Sequence, residues 1–209
     1  MVSEEYTRLI NQINAVGSQK ADGYSTNLLT DIPESEREEA EKQIWETYYE
    51  KEDTDILVFF PLLKKYDGIN ALKEIINSYI IPSEESELIA FLLFNSTKDL
   101  QYLELIEKNI IASGYDYHYI TLAKGLRPDQ NVYKMFTRIY KQCAETKALQ
   151  ATIDGILYNK GIMSDANDLN EVIRLRELIL FMRDTERDQV ISKLESGCFD
   201  KYKSQSKPQ

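Results

Sequence analysis

Along most of this chain the apolar side chains return every three or four positions, and that period points to a fold built from helices alone. Tyr6, Leu9, Ile10, Ile13 and Val16 set the pattern. Ala40, Ile44, Trp45 and Tyr48 continue it, as do Ile69, Leu72, Ile75, Ile76 and Tyr79, and then Leu100, Leu103, Ile106 and Ile110. Breakers are scarce, with eight Gly and five Pro in 209 residues. That is too few for a turn-rich β fold, and an apolar fraction of 43% is too high for a disordered chain.

Start and stop signals divide the pattern into about ten helices. Pro33 and a possible capping box, Ser35 with Glu38, open a helix that runs to about Glu50. Asp53, Thr54 and Asp55 break it and lead into a segment at about 55–66 that is apolar nearly all round. Such a segment is expected to be buried on several sides, with a kink or an early stop at Pro61. Asp67 and Gly68 make a turn before a helix at about 69–80. Further helices are expected at about 84–95 and 98–112, closed by Gly114, and then at about 116–125, 129–146, 148–160, 167–183 and 185–195. Residues 17–30 form a connection. Residues 196–209 have no period and are expected to be a flexible polar tail to a single domain over 1–195.

Displacing the segment 56–76 by 31 positions lays it over 87–107. Leu57 meets Leu88, Leu62 meets Leu93, and Leu63 meets Phe94. After the turn Ile69 meets Leu100, Leu72 meets Leu103, and Ile75 meets Ile106. A fainter third copy matches Leu93 to Leu122, Leu103 to Tyr133 and Ile106 to Phe136. Repeats of this length with two helices each predict an α-solenoid of stacked antiparallel pairs; an irregular helical bundle is the alternative.

The formal net charge is −10, and it is unevenly spread. Residues 31–55 hold eleven acids against three bases, an excess of eight, and leave an excess of two for the rest of the chain. A nucleic-acid partner is not expected, since phosphate binding needs a positive footprint. A basic protein would be attracted and steered. Glu34, Glu38 and Glu41 recur at i, i+4 and i+7 on one helix face, which a basic partner, or plain solvent, would satisfy.

Chemistry-bearing motifs are missing. His118 is the one histidine, so a Ser-His-Asp or Cys-His constellation would have to use it. It sits among Tyr115, Tyr117 and Tyr119, where a helix start packed by rings is the expectation. Neither a phosphate-binding glycine loop nor a calcium-loop pattern appears, so no cofactor, metal or catalytic residue is assigned. Cys143 and Cys198 fit neither a disulfide framework nor a zinc pattern and are expected to be reduced. No signal peptide is visible, and the longest apolar run, Ile56 to Leu63, is too short for a bilayer, so a cytoplasmic protein is expected. Fourteen tyrosines offer rigid, polar-tipped contact area. Tyr48, Tyr49, Tyr102, Tyr115, Tyr117 and Tyr119 are candidates for an exposed concave face, whereas Tyr79 and Tyr133 are assigned to the core.

The stretch 28–111, carried by "LLTDIPESEREEAEKQIWETYYEKEDTDILVFFPLLKKYDGINALKEI" and "SELIAFLLFNSTKDLQYLELIEKNI", resembles the degenerate HEAT-like repeats of bacterial proteins encoded beside polymorphic toxins, where they act as immunity proteins. The resemblance implies binding and inhibition of a toxin, with a basic toxin domain as the partner, and it carries over no catalytic residue. A scaffold or regulator of the same fold is the alternative. An enzyme with an unrecognised acidic site is a third reading.

Overall fold

The computed structural model describes residues 2–16 and 23–203. All regular structure among them is helical, in α-helices and short 3-10 segments. Two compact units result. The first holds residues up to 80 together with 92–98; the second holds 81–91 and the residues from 99 onward.

In the first unit, α1 (Glu4–Ile13) is capped by Ser3, whose side chain accepts from the Tyr6 N–H, and it buries Leu9 and Ile13. It packs on the short α2 (Asn27–Thr30) and on α3 (Glu34–Lys51). The capping box read at Ser35 and Glu38 does not form: α3 starts at Glu34 with no side-chain cap. Glu36 instead takes the Ser3 N–H at 3.0 Å and the Ser3 hydroxyl, which fastens the start of α1 to α3.

The apolar segment after α3 is a 3-10 helix, Thr54–Leu62, and not an α-helix. A 3-10 turn has three residues, so side chains at i and i+3 eclipse. Ile56 and Phe59 form one such row and Leu57, Phe60 and Leu63 another, and all five are buried. Next comes α4 (Gly68–Ile75), continued by a 3-10 turn, Ile76–Ser78. A Cβ on Gly68 would stand 1.9 Å from the Phe60 carbonyl oxygen. Only glycine allows that approach of two backbones.

Of α5 (Glu84–Thr97), residues 84–91 belong to the second unit. There α6 (Leu100–Ala112), α7 (Tyr117–Lys124), α8 (Gln130–Gln142) and α9 (Thr146–Asn159) follow. Asp99, Asp116 and Asp129 cap α6, α7 and α8, each accepting from the N–H two residues on. Such a cap contributes about 1 kcal/mol. The centre of this unit is α9, buried from Ala148 to Leu157 except at Gln150 and enclosed by α7, α8 and α11 (Arg176–Asp184). A Cβ on Gly155 would meet the Phe136 ring at 2.7 Å, so α8 and α9 approach closely there.

The expected helix at 167–183 is broken at Leu175 into α10 (Leu169–Arg174) and α11. After α12 (Arg187–Glu195), which packs on α8, residues 196–203 of the expected tail include a 3-10 turn, Asp200–Tyr202. Phe199 is buried, its ring meets Phe181 edge-on with the centroids 5.7 Å apart, and Arg174 donates to the Tyr202 carbonyl at 2.8 Å. The rest of that expected tail, 204–209, lies outside the described residues, as does 17–22 of the expected connection. No helix among the described residues is long and apolar enough to cross a membrane.

The two best-matched copies of the sequence repeat differ in local structure. Residues 56–76 are a 3-10 helix, a turn and α4, whereas 87–107 belong to two α-helices.

Candidate functional site: an aromatic cleft on an acidic helix

Helical spacing puts Trp45, Tyr48 and Tyr49 on one face of α3. The Trp45 ring stacks on Tyr66 at 4.9 Å and on Phe60 at 5.6 Å, with interplanar angles of 20° and 18°. Tyr49 leans on Trp45 at 4.7 Å. Tyr48 meets Tyr49 edge-on at 4.9 Å and Phe60 at 5.3 Å. Aromatic pairs in such geometries add about 0.5–1.5 kcal/mol each beyond their burial. The cluster is therefore a rigid wall and not a set of free side chains.

Beside it opens a cleft of about 390 Å³, lined by Tyr48, Tyr49, Glu52, Thr54 and Tyr79. Glu52 ends α3 in the left-handed region, at φ 53°, with its N–H returned to the Tyr48 carbonyl. Burial, a hydrogen bond with Tyr79, and the fields of Tyr49 and Glu52 push the Tyr48 phenol well above its usual range. Burial, then Glu74, pushes the Tyr49 phenol up. Both rings stay neutral and keep their π faces, under a negative field.

The acidic residues of α3 separate into two kinds. Glu34 is exposed, and Glu38 is exposed but pairs with Lys65. Glu41 corrects the expectation of a shared exposed face, since only 3% of it is accessible. It accepts the Lys65 N–H at 2.9 Å and pairs with Arg37 at 3.6 Å, while Arg37 donates to the Leu29 carbonyl at 2.6 Å. Its charge is therefore spent holding the chain on both sides of α3. Asp31, Glu34, Glu39, Glu50, Glu52 and Asp55 are exposed and form no ion pair with another described residue.

The other tyrosine candidates lie in the second unit. Tyr102 is buried in α6, against the expectation of an exposed contact residue, because its position on the helix faces inward with Leu103 and Ile106. Tyr115 is half-buried, at φ 64°, and its hydroxyl donates to Gln142. Tyr117 is exposed, its ring edge-on to His118 with the centroids 5.8 Å apart. Tyr119 is half-buried. Tyr79, read from the sequence as core, instead lines the cleft.

The second unit also buries carboxyl groups. Glu87, 1% accessible, has no hydrogen-bond partner for either carboxyl oxygen among the described residues. Burial pushes it up to about 9, and the nearby Asn109 amide opposes this only weakly. Asn109 is engaged with Ser86, donating to its hydroxyl at 2.8 Å. Asp154, also buried, takes a hydrogen bond from Gln150 at 2.8 Å and faces Lys124 at 3.8 Å. Burial still outweighs both and pushes it up to about 6. No group of three metal-ligating side chains occurs among the described residues.

Compared with known proteins, the chain matches no family model, no curated protein and no solved structure.

Proposed function

We propose that this chain is a protein-binding module that receives a basic protein on its N-terminal unit, and that it serves as a cytoplasmic immunity protein, covering the active site of a cognate bacterial toxin and catalysing nothing itself. The supporting observation is the continuity of two features on one helix. The exposed carboxylates of α3 begin at Glu34, and the same helix ends at the aromatic cleft of Tyr48, Tyr49 and Tyr79. Distributed charge speeds encounter with an oppositely charged partner. Rigid, partly buried rings supply the anchor that charge alone does not.

The HEAT-like stack belongs to the same proposal. Packing of α6 on α7 and of α8 on α9 is the neighbour-on-neighbour contact it needs. Packing of α7 on α9 is the stacking of one pair on the next, whereas packing of α8 on α12 departs from it.

The test is binding and protection. The chain is mixed with the basic product of a neighbouring gene and titrated by calorimetry at about 50 and about 300 mM salt, a range over which the screening length shortens about 2.5-fold. The same pair is co-expressed in cells. Salt-weakened binding together with rescue of growth is the expected result. Binding without rescue leaves a scaffold, and no binding removes the immunity reading.

A further inference from the structure

The cleft on α3 has a composition that selects a ligand. Its walls are three phenol rings and a carboxylate, and none of the described residues lining it is basic. A second carboxylate, Glu74, acts on the Tyr49 ring. The C-terminal end of α3 adds the negative pole of an 18-residue helix. Ring faces are negative at their centres and attract cations, best when the cation sheds part of its water. The adjacent cleft is a useful contrast. It shares Glu52 and Thr54 but is lined by Lys51 and, among the described residues, by no ring.

Resting on the proposed reading of this unit as a surface for a basic protein, we infer that the cleft of Tyr48, Tyr49, Tyr79 and Glu52 is a pocket for one organic cation, the guanidinium or ammonium tip of a side chain from that partner. Arginine suits it better than lysine, because a planar guanidinium stacks on a ring while its edge donates to a carboxylate. The volume of about 390 Å³ exceeds many times the ~30 Å³ share of one water, so the group enters with part of its stem. Tyr49 is the ring most open to an incoming cation, being 53% exposed. Tyr48 is held by Phe60, Tyr49 and Tyr79 and forms the fixed side.

The experiment uses the full chain with its tyrosine rings isotopically labelled and assigned, titrated with a capped Gly-Arg-Gly peptide. The neutral citrulline peptide, the lysine peptide and free tetramethylammonium are run beside it. The expected result is saturable movement of the Tyr48, Tyr49 and Tyr79 ring signals with the arginine peptide and at least about fivefold weaker binding of the citrulline peptide. Tyr49→Leu and Glu52→Gln should each weaken binding about three- to tenfold, with unchanged far-ultraviolet dichroism. Glu177→Gln, exposed in the second unit, should leave it unchanged. Equal response to arginine and citrulline peptides overturns the inference, and so does a response to tetramethylammonium alone. Failure here with salt-dependent partner binding retained removes the pocket and leaves the proposed function. Peptide binding in the cleft with no partner neutralised removes the immunity reading and leaves the pocket.

Discussion

Glu87→Met should stabilise the protein, by an amount that grows with pH. In the unfolded chain a glutamate ionises with its ordinary value of 4.5, whereas in the folded chain Glu87 holds its proton up to about 9. Between those two values folding takes up a proton, so the contribution of Glu87 to stability is complete below about 4.5 and is lost as pH rises towards about 9. The slope is about 1.36 kcal/mol per pH unit. From pH 5 to pH 8 the wild-type chain should therefore lose roughly 4 kcal/mol that a residue without a titrating group does not lose. Methionine nearly conserves volume and removes two buried oxygens that lack partners. Urea unfolding followed by far-ultraviolet dichroism at several values of pH gives the stability of both proteins. The difference between them cancels every other titrating group. It should widen by about 1.4 kcal/mol for each unit of pH. Parallel pH profiles would refute the reasoning, because they would mean that Glu87 ionises in the folded protein much as it does in the unfolded one.

Asp154→Asn should act in the same direction over a lower window. The Asp154 carboxyl rises from 3.8 to about 6, so the stability that wild type loses between those values should be missing from the variant's pH profile. Gly68→Ala should destabilise at the upper end of the roughly 1–3 kcal/mol typical of overpacking, because its Cβ would fall 1.9 Å from a backbone oxygen; thermal melting measures it. Arg174→Ala should release the chain after α12, since Arg174 bonds the Tyr202 and Ile162 carbonyls as well as Glu171. Faster amide exchange at 198–203, with α9 unchanged, is the expected signature.

Some helix starts are legible because a cap is a local device, although the Ser35–Glu38 box does not form. Asp99 and Asp129 sit where the helices expected at about 98–112 and 129–146 begin, and each accepts an N–H of its helix's first turn. The segment 54–62 was not legible in kind. When nearly every position is apolar, a period of 3.0 cannot be told from 3.6, and tertiary contacts decide. For the same reason the overlay of 56–76 on 87–107 matched leucines without matching local structure. The ordering of Phe199 and Tyr202 depends on Phe181 and Arg174, which are distant in sequence. At the cleft, Tyr48 and Tyr49 followed from helical spacing with Trp45. Tyr79 did not, because it arrives from beyond α4, and a stripe tyrosine in sequence is as good a core residue as a cleft residue. Glu52 adjoins the Asp53–Thr54–Asp55 break, which marks the end of the helix but not the left-handed turn that sets Glu52 beside the cleft.

The division of the acidic segment changes how its charge has to be probed. A regular i, i+4, i+7 row treats Glu34, Glu38 and Glu41 alike, and reversing all three would seem the natural test of steering. It would also break Glu41 away from the Lys65 N–H and Arg37 and bury a cation at position 41 beside the half-buried Arg37, which is a folding defect and not a binding one. Glu34, Glu39 and Glu50 are the better set, since all three are exposed on α3 and none is paired with a described cation. Their reversal should slow association with a basic partner and flatten its salt dependence while leaving the dissociation rate nearly unchanged, as expected for charges at the rim of an interface. Tyr49→Leu should do the opposite, speeding dissociation with little effect on association. Rates that move together in both variants would mean that the helix and the cleft do not divide the work of encounter and anchoring.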